Sequence, residues 1–395
     1  MDDLRRLRLA SAMSIPPPPL AHRSVAFAYV GDVTGSSRAL RQLAALTGAG
    51  AQVEVLAFDT DRAAVLPDGV TLHAVPRPSG GGPRFFWQAH RQFVRAARRL
   101  AAARSIDLWH ASDLYVLPAM ARSARRSARP LVFDSRELYA HLDATEDAPL
   151  KRWLWRTVEA RHIQRADLVL TVNGAIADRL AAAYGIVRPM VQHNLPRVTA
   201  VPRTTTLRDT LGIPGAVPIL LYQGLLRVGR GLPQTLDALR DVPEVTLVVI
   251  GEGPFEAEAR RLAEPMQDRV HFVPFTPPDE LPLLTASADV GLVLIEPRTE
   301  SLRLSLPNKL FEYLAAGLPV VASDLPELGR VVRAHGVGLA VDVDNRPALV
   351  DALRRVAHDA TLRGAAQRSI PLVFDEFDTE RENAAFVDAY AALMS

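Results

Sequence analysis

The 395-residue chain contains no cysteine, which excludes disulfides, thiolate metal ligands and a cysteine nucleophile. Lysine is almost as scarce: Lys151 and Lys309 are the only two among 46 basic residues. Long apolar runs are missing as well. The stretches Val245 to Ile250 and Val290 to Ile295 have the length of strands and fall far short of the roughly 20 residues needed to cross a bilayer. No apolar core of signal-peptide length follows Arg8, so residues 1–22, with the run Pro16 to Pro19, read as a disordered leader rather than an export signal. Nor is there a strong excess of charge of one sign. The formal charge is +2, no nucleic-acid module is present, and nucleic acid is not expected as a partner. These absences fit a cytoplasmic protein. What remains, 48% hydrophobic and 23% charged, is the composition of a globular protein, long enough for two domains of about 150 to 200 residues.

From Ser24 onward short β-rich runs alternate with helical periods. Val25 to Val30, Gln52 to Phe58, Ile106 to His110, Leu131 to Asp134 and Leu168 to Val172 read as strands, with helices between them. This is the punctuation of an α/β fold with parallel sheets. Three strand ends carry polar residues: Gly31-Asp32 in a glycine-rich loop, His110 with Asp113, and Ser135-Arg136-Glu137. Open α/β sheets bind ligands at that carboxyl edge. Periodicity is lost through Pro196 to Pro218. A second series then follows, with strands Ile219 to Gln223, Val245 to Ile250, Val270 to Val273, Val290 to Ile295, Val320 to Ala322 and Gly338 to Val341. The boundaries that result are a leader at 1–22, a first domain at 23–200, a linker at 201–215, a second domain at 216–377 and a terminal helix at 378–395. Two helical stretches, Arg84 to Arg104 and Lys151 to Arg161, are basic and carry aromatic residues, a composition compatible with an anionic membrane surface.

The most informative stretch is Glu300 to Ser323. As a helix from about Leu306 to Ala316 it aligns Leu306, Leu310 and Leu314 on one face and gathers Ser305, Asn308, Lys309 and Glu312 on another. Ser305 suits the N-cap, Pro307 the first turn, and Gly317 a left-handed stop. Lys309 breaks the pattern: a cation in the first turns opposes the helix dipole unless an anion is bound there. A second cationic segment is the loop Gly224 to Gly231, lying between a strand and a helix and bearing Arg227 and Arg230, whose guanidinium forks match phosphate oxygens. It lacks the Walker pattern. With Lys309 it makes a cluster suited to a diphosphate, and Glu312, one turn further along, suits sugar or ribose hydroxyls.

The second half resembles the retaining glycosyltransferases of family 4, which have the GT-B architecture of two facing Rossmann-like domains. The resemblance rests on Gly224 to Gly231, Gly251-Glu-Gly-Pro, Val270 to Phe275, Ala288-Asp-Val and above all Ser305-Leu-Pro-Asn-Lys-Leu-Phe-Glu-Tyr. The first half matches more loosely, at Asp107 to His110, Phe133 to Tyr139, Arg165 to Val172 and Asn194 to Pro196. The resemblance implies transfer of a sugar from a nucleoside diphosphate sugar, UDP- or GDP-linked, to a small-molecule, glycan or lipid-linked acceptor, with no cofactor and no metal. It places the charge-stabilising groups at Arg227, Arg230 and Lys309, with His110 beside the reaction. Donor contacts fall to Glu312, Ser305, Leu306, Asn308, Gly224, Phe275 and Glu252, and acceptor contacts to Gly31, Asp32, Arg136 and Asp113. A terminal helix crossing back onto the first domain is also implied.

Three positions depart from the family pattern. The first glutamate of its E-x7-E pair falls at Leu304, with Glu300 as the nearest substitute. Leu225 stands where the loop usually has arginine, a part Arg227 can take, and Arg136 stands where a histidine is common. An epimerase acting on a nucleotide sugar, with His110 and Glu137 as acid and base, and a silent nucleotide-sugar-binding partner are the alternatives.

Overall fold

The computed structural model describes residues 17–59, 66–80, 82–195, 201–274, 276–277 and 280–395. Every strand pairing whose register is described is parallel. In the first half these are β1 (Ser24–Tyr29), β2 (Gln52–Phe58), β3 (Val70–Val75), β4 (Leu108–Ala111), β5 (Leu131–Ser135), β6 (Leu168–Thr171) and β7 (Met190–Val191), in the order β3-β2-β1-β4-β5-β6-β7. In the second they are β8 (Ile219–Gln223), β9 (Thr246–Ile250), β10 (Val270–Val273), β11 (Val290–Val293), β12 (Val320–Ser323) and β13 (Gly338–Val341), in the order β10-β9-β8-β11-β12-β13. The central strands Ile219–Gln223, Thr246–Ile250 and Val290–Val293 are buried at every residue. A parallel sheet covered by helices on both faces requires such continuous apolar runs. β3 and β7, which sequence pattern did not reveal, are edge strands with mostly half-exposed residues.

The strand order reverses between β1 and β4 in one sheet and between β8 and β11 in the other. Loops that leave neighbouring strands in opposite directions open a crevice at the carboxyl edge. The loops after β1 and after β8, both singled out by sequence, lie at these two reversals.

The chain divides into two compact units, one comprising 1–111, 119–131 and 383–395 and the other 112–118 and 132–382. In the first, residues 17–22 are packed rather than part of a disordered leader: Leu20 is fully buried and its amide donates to the Ala49 carbonyl at 2.9 Å. The terminal helix Thr379–Met394 buries Phe386 and Tyr390, and its Asn383–Ser395 portion belongs to this unit. In the second unit, 201–215 is not a bare connector. It contains the short helix Thr206–Leu211, whose buried Leu207 donates its amide to Ser287 Oγ, while Arg203 and Arg208 pair with Asp289.

Candidate active site

The helix expected from Leu306 runs Asn308–Ala315 and follows a separate turn, Glu300–Arg303. Proline explains the shift. Pro307 has an extended backbone, φ −78° and ψ 145°, and a proline pushes its predecessor out of helical conformation. The helix therefore begins after Pro307, with no side chain capping it. Ser305 is not the N-cap; its hydroxyl donates to the Leu302 carbonyl at 2.7 Å and closes the preceding turn. The Leu310 amide turns back to the Pro307 carbonyl at 3.1 Å, and the amides of Asn308 and Lys309 lie ahead of that first bond, where an anion can meet them. The stop at Gly317 is as expected, with φ +74°.

This helix is fixed by an unusual approach to the sheet. Leu310, Phe311, Tyr313 and Leu314 are buried, each worth about 1.5 to 3 kcal/mol for the larger side chains. The Tyr313 ring lies where a Cβ on Gly291 of β11 would be, so only glycine fits there. Passing over that glycine, the Tyr313 hydroxyl accepts the amide of Gln223 at 2.8 Å. Gln223 ends β8, and its side chain donates to Glu312 while accepting from Thr285 Oγ1 at 2.9 Å. One buried glutamine thereby sets the orientation of the carboxylate expected to meet hydroxyls. Burial raises the Glu312 pKa, and the bond from Gln223 and the charge of Lys309 oppose that rise.

Lys309 projects its ammonium over the Tyr222 ring, 4.4 Å from the centroid. Burial, then the neighbouring Arg230, lowers its pKa from 10.5 to about 7, with Glu312 pulling the other way. Burial likewise pushes Tyr222 up to about 12, against the fields of Arg230 and Arg227. Those two arginines sit on the Gly224–Gly231 loop, which is locked to its neighbour backbone to backbone. Gly224 N donates to Ile250 O at 3.0 Å and Leu226 N to Glu252 O at 2.9 Å. A Cβ on Gly251 would collide with the Gly224 carbonyl. Glu252 contributes this carbonyl while the residue itself is exposed.

The same unit brings the end of β5 into this field. Arg136 pairs with the buried Asp113 at 2.7 Å, and Asp113 also accepts the Tyr115 amide at 3.1 Å. Burial raises the Asp113 pKa against the charge of Arg136. Glu137 is raised by desolvation, opposed by Arg136 and, from the loop after β8, by Arg227 and Arg230. Glu137 thus feels Arg136, Arg227 and Arg230, while Lys309 feels Arg230 and Glu312.

Other expected site residues lie elsewhere or act differently. His110 is fully buried, stacked on Phe27 at 4.1 Å between centroids, and its Nδ1 meets the Tyr390 hydroxyl of the terminal helix. With no exposed surface it is a packing residue, which corrects its expected place beside the reaction. Gly31 has φ +124°, and Asp32 turns its carboxylate back to Thr34 N and Oγ1 at 2.9 and 2.6 Å, capping a short turn. Leu306 and Asn308 are half-buried at the start of the helix. Phe275 lies outside the described residues. Glu300, considered as a substitute for the missing carboxylate at Leu304, is held by Arg179 at 2.7 and 3.2 Å and lies 3.4 Å from His141. The Leu304 carbonyl accepts from buried Asn173 at 2.8 Å. Gln223, Tyr222 and Asn173 escaped the sequence reading. The only signal for Gln223 was a polar residue closing an otherwise apolar strand.

Residues 34–196 match the family model described as glycosyl transferase 4-like domain, and residues 217–359 the one described as glycosyl transferases group 1. The two matches fall one on each half of the chain, whose fold is GT-B, two parallel-sheet Rossmann-like domains. Among curated proteins it is similar to the GDP-mannose-dependent alpha-mannosyltransferase of Mycobacterium tuberculosis, 28% identical over 89% of this chain and 93% of that one. It is also similar to the putative colanic acid biosynthesis glycosyl transferase WcaI of Escherichia coli, 29% identical over 42% of each, so the chain spans under half the length of that relative. Among solved structures, Anabaena Alr3699/HepE in complex with UDP-glucose superposes with a TM-score of 0.73 at 17% identity, covering 94% of this chain and 100% of that one. At that identity the likeness is one of fold.

Proposed function

We propose that this protein transfers a sugar from a nucleoside diphosphate sugar to an acceptor with retention of anomeric configuration. The observation that carries the reading is the place of Lys309, whose ammonium lies 4.4 Å over the Tyr222 ring in the first turn of a helix that no side chain caps. A cation at the positive end of a helix dipole is unfavourable until an anion joins it. A diphosphate fits, held by Arg227, Arg230, Lys309 and the uncapped amides of Asn308–Ala315, with Glu312 receiving ribose hydroxyls. The named relatives support this class of donor, one being GDP-mannose-dependent and one structural neighbour containing UDP-glucose.

In the reaction the bond between C1 of the sugar and the β-phosphate oxygen breaks, and its electron pair leaves with the nucleoside diphosphate. The acceptor hydroxyl bonds to C1 on the same face and gives its proton to the departing phosphate. Negative charge grows on that phosphate as the bond lengthens. The fixed cations therefore bind the transition state more tightly than the ground state, and a single such donor is worth about 2.7 to 4 kcal/mol in analogous oxyanion sites.

The test is a panel of UDP- and GDP-sugars with candidate acceptors, followed by nucleotide release and by NMR of the product anomer. Nucleotide release only with acceptor, with the anomeric configuration kept, supports the proposal. An altered sugar without release would make the protein an epimerase, and binding without turnover a silent partner.

A further inference from the structure

We propose that the exposed faces of the helices Gly82–Ala103 and Leu117–Ser127 form a docking surface for an anionic phospholipid bilayer. The first helix and residues 119–127 of the second belong to the first compact unit. Together they contain eight arginines and no aspartate or glutamate. Arg91, Arg95 and Arg98 on the first and Arg122, Arg125 and Arg126 on the second are all exposed. None of the six forms an ion pair among the described residues, whereas Arg104 and Arg129 just beyond the two helices pair with Glu54 and Asp107. The two helices present their charges to each other's vicinity: the Arg126 pKa is lowered by Arg122, then by Arg98 of the other helix, then by burial and Arg125. Setting these six aside leaves the rest of a chain of formal charge +2 at −4. Basic charge is thus concentrated here, and a surface that repels itself is complemented by a partner of opposite sign.

What distinguishes a bilayer from other polyanions is the aromatic residue in the stripe. Trp87, Arg91, Arg95 and Arg98 are spaced so as to share one face of the 22-residue helix. Phe93 is fully buried and packs on Phe58, while Trp87 is turned outward, 57% exposed, with the Arg91 guanidinium 4.5 Å from its ring centroid. A tryptophan among arginines on a helix lying flat over a sheet is the arrangement of an interfacial helix, where the indole enters the headgroup region and the cations meet phosphates. The surface is independent of the diphosphate cluster, which lies in the other unit.

The experiment is co-sedimentation of the full chain with vesicles of phosphatidylcholine containing about one third phosphatidylglycerol, without nucleotide. Each cation near such a surface changes partitioning about fivefold, so R91S/R98S/R122S should lose about a hundredfold. The tryptophan emission of the parent, but not of W87F, should shift to the blue on vesicle addition. Unchanged melting temperature and nucleotide binding in the triple variant show that it folds. Equal partitioning of parent and triple variant, or equal binding to pure phosphatidylcholine, overturns the proposal. So does arginine-dependent binding to heparin or RNA with none to vesicles. Because no donor or acceptor is used, either result leaves the transferase reading to its own test.

Discussion

Raising the pH from 7 to 9 should weaken the binding of a nucleotide sugar about fifty-fold, through Lys309. The free protein holds this amine near pKa 7 instead of 10.5, and at about 1.36 kcal/mol per unit that difference is at most about 5 kcal/mol. The sign follows directly: a depressed lysine pKa disfavours the cation, so above pH 7 most of the free protein carries a neutral amine. A diphosphate beside it restores the ordinary pKa, and binding must then take up a proton. At pH 8 about 0.9 proton should be absorbed per site, and affinity falls as the free base accumulates. The facing groups are Arg230, Glu312 and Tyr222; the first keeps its charge throughout, and Tyr222, at about 12, does not titrate below pH 9. Nucleotide sugars suit the measurement because their phosphodiesters do not titrate near neutrality. Calorimetry in buffers of different ionisation enthalpy reads the proton count, and the same titrations give the affinity. Lys309→Arg should bind with little pH dependence, since guanidinium stays charged, and Lys309→Gln should bind weakly at every pH. Uptake below about 0.3 proton at pH 8, or the full pH slope surviving in Lys309→Gln, would refute the reasoning.

Three further outcomes follow from single contacts. Gln223→Leu removes the donor that orients Glu312 and leaves Thr285 unpartnered on that side, a cost of about 1 to 3 kcal/mol; nucleotide affinity by calorimetry should drop about tenfold or more. Gly291→Ala sets a methyl against the Tyr313 ring, and such overpacking costs about 1 to 3 kcal/mol; it should lower the melting temperature, and an unchanged melt would show that the ring can yield. Glu159 is buried with bonds from Tyr184 at 2.6 Å and Ser135 at 3.4 Å, and burial raises its pKa from 4.5 to about 7. A raised carboxyl pKa favours the protonated fold. Stability should therefore fall as pH rises from about 4.5 to 7, by on the order of 3 kcal/mol, and Glu159→Gln should flatten that slope in denaturant melts at pH 5 and 8.

The inner strands of the second sheet, β8, β9, β11 and β12, were legible because each is a largely apolar run, as burial on both faces demands. β3 was not legible: its sequence VTLHAV lies at an edge, where half-exposed positions dilute the pattern. The cationic candidates were picked out by types and spacing, since two arginines among glycines and one lysine at a helix start are locally odd. What fixes that helix was not legible. The bonds Gln223–Tyr313 and Gln223–Glu312 join residues about 90 positions apart, and the passage over Gly291 depends on a neighbour chosen by the sheet. His110 was misread for the same reason: its partners Phe27 and Tyr390 are distant in sequence, and nothing local shows that they enclose it.

The scarcity of lysine gives the depressed Lys309 a practical meaning. Acylating and reductive-alkylating reagents select amines that are unprotonated at neutral pH, and this chain has only one other lysine, Lys151. On the proposed reading Lys309 is a built-in chemical handle: the extent of labelling, read as a mass increment on one peptide, would report how much of the cluster is empty. A bound diphosphate would return the amine to its protonated form and close it to the reagent, so occupancy could be counted on the intact protein without following any reaction product.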